Sequence, residues 1–135
     1  MSKLSVFLNP VSPVDRQEVV ISKRFQNEDG KPVPFVIRPL TQEENDKLLR
    51  QATRRTKVNG QTVETLDNTE YGRRVVVAAT VEPDFTSAEL CKAYGTMDPL
   101  EVPGKMLLVG EYGKLSRAIL ELSGLDDDPE EQAKN

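Results

Sequence analysis

Residues 107–125 read LLVGEYGKLSRAILELSGL, and the spacing of the apolar positions in this run decides how the rest of the chain can be arranged. Tyr112, Leu115, Ile119 and Leu122 follow one another at steps of three, four and three, which places them on one face of an α-helix. Ala118 widens that face, while Lys114, Arg117 and Glu121 fall mostly off it. Gly124 stands where a left-handed C-terminal cap is wanted, a conformation that costs every residue with a Cβ more than it costs glycine. Gly110 marks a break before the helix, and Glu111 suits the positive N-terminal end. Burial of Leu115, Ile119 and Leu122 would contribute roughly 1.5–3 kcal/mol each. Two readings of the face follow. It is either core, the ordinary use of such a stripe, or it docks a partner helix.

Composition limits what such a body can do. A chain of 135 residues fits one domain and buries roughly two-thirds of the surface its unfolded form exposes. With no Trp and 5% aromatics, the core must be mainly aliphatic. The single cysteine, Cys91, has no internal partner, which suits a reducing compartment. Histidine is absent, and with it the commonest general base and transition-metal ligand. No run approaches the ~18 apolar residues of a membrane span. The N-terminal Val6-Phe7-Leu8 is too short for a secretion signal. A protein that stays in the cytoplasm is the expectation.

Charge is segregated. Net charge is −4, yet the last ten residues alone hold Asp126, Asp127, Asp128, Glu130 and Glu131 against one base, Lys134, so the rest of the chain is neutral. So polar a segment has too little apolar content to fold, and residues 126–135 are expected to be a disordered acidic tail.

From the N-terminus, residues 1–16 contain Pro10 and Pro13 and no periodic pattern, which predicts an extended arm. A β-hairpin follows. Val19, Ile21, Lys23 and Phe25 alternate, as do Val33, Phe35 and Ile37, on either side of Asn27-Glu28-Asp29-Gly30. Pro32 and Pro34 lack a ladder donor, so the second strand should be an edge, or pair only where no donor is required. Thr41-Gln42-Glu43-Glu44 is a capping box opening a helix expected over 42–56 that buries Leu48, Leu49 and Ala52. On that helix Lys47, Arg50, Arg54 and Lys57 form a basic stripe. It is either a solvated face or a surface for an acidic partner or nucleic acid. No aromatics interleave it, so base stacking is unsupported.

Asn59-Gly60 marks a turn within a loop or short hairpin spanning 57–66. A helix is expected near 69–81 with Tyr71, Val75, Ala78 and Ala79 on one face, although Val75-Val76-Val77 also permits a strand. Thr86-Ser87-Ala88-Glu89 resembles a second capping box before a short helix that stops at Gly95, and Pro103 can begin another. Cys91 reads as a small core residue, since no histidine is present to activate it. No phosphate loop, dinucleotide glycine pattern or metal ligand set occurs. The four residues Gly110–Gly113 match a nucleic-acid clamp only in their glycines, and Glu111 would repel phosphate. No catalytic residue and no cofactor are assigned. The fold class expected is α+β: an extended arm over 1–16, one domain over 17–125 with an N-terminal β-hairpin and a mainly α-helical body of 4–5 helices, and the tail over 126–135.

Three segments together, VVISKRFQNEDGKPVPFVIRPL, TQEENDKLLRQATRRT and MLLVGEYGKLSRAILELSG, resemble the XkdN-like tail assembly chaperones of phages and defective prophages with contractile tails. The similarity spans roughly residues 17–125 and rests on the order and spacing of these pieces. It implies a non-enzymatic cytoplasmic protein that coats the aggregation-prone tape measure protein until the tail tube polymerises, and is absent from the finished tail. On that reading Lys47, Arg50, Arg54, Lys57, Tyr112, Leu115, Ile119 and Leu122 are the candidate partner-binding residues, and self-association would use the hairpin edge or the N-terminal arm. Neither nucleic acid nor membrane is expected as a partner. The alternatives are a small nucleic-acid-binding regulator using the stripe at 47–57, and a structural component of the tail.

Overall fold

The computed structural model of the chain describes residues 3–11 and 15–124, so the tail expected at 126–135 lies outside the described residues. The architecture is α+β. In chain order the elements are α1 (Lys3–Leu8), β1 (Gln17–Val19), β2 (Phe35–Ile37), α2 (Gln42–Gln51), β3 (Thr53–Val58), β4 (Gln61–Leu66), α3 (Asn68–Ala79), β5 (Thr80–Glu82), α4 (Ala88–Ala93), a 3₁₀ turn (Pro99–Glu101), α5 (Val102–Met106) and α6 (Val109–Leu122).

The N-terminal hairpin forms, with Gly30 at φ +78° in its turn. Its regular ladder is confined to Gln17–Val19 against Phe35–Ile37. The return strand is not an edge. β2 lies between β1 and β5 in an antiparallel three-stranded sheet. Both partners pair with it at 35–37, beyond Pro32 and Pro34, so the missing donors never face a ladder. Residues 3–8 are helical and not extended, and no side chain of α1 is buried.

Helix α3 is the hub of the body: α2, α5, α6, the 3₁₀ turn and β5 all pack against it. Its start is set by Asp67, whose side chain accepts from the Glu70 N–H at 3.0 Å. The Val75-Val76-Val77 run is helical, with Val75, Val76 and Ala79 buried, and the chain turns to strand only at Thr80. Around this hub the core gathers Phe35, Ile37, Leu48, Phe85, Val102, Met106, Leu115 and Ile119. It is mostly aliphatic, with Phe85 fully enclosed.

Helix α6 runs as its periodicity requires. Leu115 and Ile119 are 0% exposed, and Tyr112, Ala118 and Leu122 pack at the margin of the core. Gly110 does not break the helix; it lies in the first turn, and the helix begins at Val109. Gly124 has φ +78°, the left-handed cap. Just before it, the Ser123 hydroxyl accepts from the Leu40 N–H at 3.0 Å and so ties the end of α6 to the start of α2. At that start the Thr41–Glu44 capping box is complete. Arg38 adds a two-pronged contact to Glu44, 2.6 and 3.1 Å. The second box does not form: Ser87, not Thr86, caps α4 by accepting from Leu90 N–H, Leu90 has no side-chain oxygen to reciprocate, and Thr86 donates to Asp84.

Candidate partner-binding surface

The basic stripe does not survive folding as a stripe. Helix α2 stops at Gln51, and residues 53–58 pair with 61–66 as an antiparallel ribbon. The ribbon turns through Asn59 (φ 53°) and Gly60 (φ 80°), the left-handed pair that suits a two-residue hairpin. Lys47 and Arg50 therefore stay on a helix, whereas Arg54 and Lys57 sit on β3, three residues apart and hence on opposite faces. Arg54 is bonded to Glu70, whose other oxygen also accepts from Arg74 Nε at 3.3 Å. Arg55 is held across the ladder by Glu64 at 3.1 Å. Such a broken, partly neutralised array does not present phosphate contacts in one line.

Two other candidates, Leu115 and Ile119, are wholly inside the core and offer no surface to a partner. Tyr112 and Leu122 remain at its margin. Tyr112 also lines the feature that the sequence did not reveal, an open trough of about 520 Å³ between α3, α5 and the start of α6. Its walls are Asn68, Thr69, Gly72 and Arg73 from α3, Gly104 from α5, and Leu107, Val109 and Tyr112. A Cβ placed on Gly72 or Gly104 would meet no neighbouring atom within 4 Å, so both glycines leave room for an incoming side chain. Burial pushes the Tyr112 phenol up, against the opposing pull of Arg73. Of the wall residues Val109 is 93% exposed, and its chain neighbour Leu108 is 61% exposed, large apolar side chains held in water at one end of α6.

An ion pair holds that end in place. Arg24 reaches from the turn after β1 and grips Glu111 with Nε and Nη2, at 2.9 and 2.5 Å. The same Nη2 donates to the Met106 carbonyl at 3.0 Å. Glu111 in turn accepts from the Leu108 N–H at 2.8 Å, filling the side-chain half of a capping box whose Leu108 partner has no oxygen to reciprocate. The Arg24 guanidinium, followed by a Ser22 hydrogen bond and the Leu108 N–H, holds the Glu111 carboxyl down at about 2. Arg24 also lies 5.0 Å from the centre of the Phe25 ring, which packs on Phe35. The hairpin thus clamps the α5–α6 connection, and the clamp fixes Leu107 inward and Leu108 and Val109 outward.

The remaining chemistry is quiet. Cys91 is buried, with its thiol toward the Phe85 carbonyl at 3.6 Å, consistent with a packing role. The Gly110–Gly113 stretch is helical, and its Glu111 is engaged by Arg24. Among the described residues no helix is long and apolar enough to cross a membrane.

Comparison with known proteins agrees with the resemblance read from the sequence. The chain is 38% identical to the phage-like element PBSX protein XkdN of Bacillus subtilis, over 96% of this chain and 92% of that protein. It is 39% identical to the Bacillus subtilis protein YqbN, over 96% and 91%. The crystal structure of YqbN superposes with a TM-score of 0.72, covering 92% of this chain and 98% of the other, with 34% of the superposed residues identical. The family described as phage XkdN-like tail assembly chaperone protein matches residues 4–135, and the chain belongs to that family.

Proposed function

We propose that this protein binds the tape measure protein of a phage-like tail in the bacterial cytoplasm, keeps it soluble until the tail tube polymerises around it, and is left out of the finished particle. It acts by covering surface and not by catalysis. The observation that carries the reading is the trough with Val109 in its wall: a mainly apolar groove with two empty glycine positions and a lining side chain 93% exposed is a seat for the apolar face of a helix. Tyr112 belongs to that seat, and Leu122 lies further along the same helix. Self-association, on this reading, uses the open edge of β1 and the uncovered apolar side chains of α1, Leu4, Val6, Phe7 and Leu8.

Co-expression with the neighbouring tape measure gene, followed by pull-down, tests the proposal. Co-purification that changes little between about 50 and 200 mM salt is expected. A nucleic-acid contact through the basic residues would instead weaken steeply over that range. Quantitative mass spectrometry of purified tails separates a chaperone from a structural component, which would be present in stoichiometric amount.

A further inference from the structure

The ribbon of β3 and β4 stands off the body. Apart from Thr53, which is half-buried, every residue of its two strands is exposed. It is tied down at its base, where the Asp67 N–H donates to the Ala52 carbonyl at 2.9 Å and Arg54 pairs with Glu70. Among the described residues no third strand joins it. A two-stranded ribbon is marginal in water, and stability calls for three or more strands with an apolar face. We propose that the outer edge of β4 pairs with the same edge of a second copy of this chain. The two strands run antiparallel about a two-fold axis, and each Val63 lies opposite its own counterpart in a four-stranded sheet.

Charge selects the edge. β3 reads TRRTKV, and its Arg54, Arg55 and Lys57 set cations along that side, a pattern that blocks pairing. β4 reads QTVETL, and its one charged residue, Glu64, is already held by Arg55 from the neighbouring strand at 3.1 Å. The edge of β4 therefore has no charge left to repel a copy of itself.

The backbone and the side chains select one register. Residues flanking a two-residue turn exchange both ladder bonds, here Val58 and Gln61. By alternation Thr62, Glu64 and Leu66 turn their N–H and C=O outward. A two-fold axis normal to the sheet keeps like faces together, so residues pair with others of the same parity. Setting Thr62 opposite Glu64 joins two outward-facing residues twice over and brings Val63 against Val63. Sliding one step toward the base sets Glu64 opposite Glu64, like charges that destabilise the pair. Sliding toward the tip runs the ladder into Gly60, which is left-handed at φ +80°. In the selected register, Thr56, Val58, Val63 and Thr65 of both copies share one face, where Val58 is 53% and Val63 41% exposed in the single chain. That face is what a lone ribbon lacks the strands to support.

The edge is self-complementary, and this is why a second copy fits it. No wall of the trough belongs to the ribbon, so a pair joined in this way carries two open troughs. The contact is separate from those through β1 and α1 and stands whether or not they form.

Cross-linking of the full chain tests the register. Directly opposite Cα atoms lie about 4.5–5.5 Å apart, within the span of a disulfide. Val63→Cys should give a linked dimer under mild oxidation. Thr65→Cys, on the same face but about 13 Å from its counterpart, should not. Cys91 is buried, so the wild type should give none. Amide exchange tests the contact without a cysteine: exchange at Thr62 and Glu64 should slow as protein concentration rises. Val63→Lys, with an unchanged circular dichroism spectrum, should lose that concentration dependence, because it sets two cations face to face. Val63→Cys that fails to link, Thr65→Cys that links as readily, or exchange that ignores concentration would overturn the proposal. Slowing that requires added tape measure protein would assign the edge to that partner and overturn it equally.

Discussion

Arg24 and Glu111 stand 87 positions apart in sequence and meet in a two-pronged ion pair, with Nε–Oε2 at 2.9 Å and Nη2–Oε1 at 2.5 Å. The Glu111 side chain is only 10% exposed, whereas that of Arg24 is 47% exposed, so the pair sits half in the body and half at its surface. It does for the α5–α6 connection what a cap does for a helix start: it satisfies the Leu108 N–H and the Met106 carbonyl while fixing the direction of the chain.

This clamp and the Arg38–Glu44 pair predict how stability responds to acid. Hydrogen bonds from Arg24 and Arg38 hold both carboxyls at about 2, against an ordinary value of 4.5. Groups with depressed folded values stabilise fully above the unfolded value and lose that contribution as pH falls toward the folded one. Denaturant melts of the wild type should therefore weaken as pH falls from 4.5 toward 2. The Glu44→Gln/Glu111→Gln double variant should be less stable at neutral pH and flatter across the window. Parallel pH curves for the two proteins would rule the explanation out.

The two candidate residues that folded inward serve as a control for those that did not. Leu115→Ala and Ile119→Ala each remove a side chain with no exposure, at a cost of roughly 2–5 kcal/mol in a urea melt. Leu122→Ala, at the edge of the core, should cost less.

Thr80 is buried at the start of β5, and its hydroxyl oxygen finds no hydrogen-bond partner among the described residues. Thr80→Val keeps the shape and removes the desolvated hydroxyl, so it should stabilise by about 1 kcal/mol. In a thermal melt this appears as a rise of about 4 °C. A fall in the midpoint would mean the hydroxyl is bonded in solution.

Gly60 and Gly72 should respond to alanine in opposite directions. At Gly60, φ +80° in the ribbon turn makes a Cβ strained, so Gly60→Ala should loosen the ribbon by about 1 kcal/mol and speed amide exchange in 53–66. Gly72 is inside α3 with open space beside it, so Gly72→Ala should stabilise by roughly 0.5–1 kcal/mol.

The parts of this fold legible in the sequence are those written in local spacing. The α6 face, its Gly124 cap, the Thr41 box and the Asn59-Gly60 turn each need only neighbours within a few residues. The helix expected over 42–56 ends at Gln51 instead, and the sequence hides this because Lys47, Arg50, Arg54 and Lys57 happen to share the helical period. A competing signal is present: Thr53, Thr56 and Val58 before Asn59-Gly60, and Thr62, Val63 and Thr65 after it, are β-branched, and such residues flanking that turn favour a ribbon. The trough and its clamp had no local signature. Arg24, Gly72, Gly104 and Glu111 become neighbours or share walls only after the hairpin, α3, α5 and α6 pack, and no spacing along the chain records that.

The central claim is that the trough and the apolar side chains beside it receive the tape measure protein. Leu108→Asp/Val109→Asp tests it with little risk to the fold, because an acidic residue at a helix N-cap or first turn is favourable. The measurement is the fraction of co-expressed tape measure protein recovered in the soluble lysate. The account predicts that the wild type raises that fraction and that the double variant, folded by circular dichroism, does not. Equal solubility of the tape measure protein with wild type, variant or neither would contradict it.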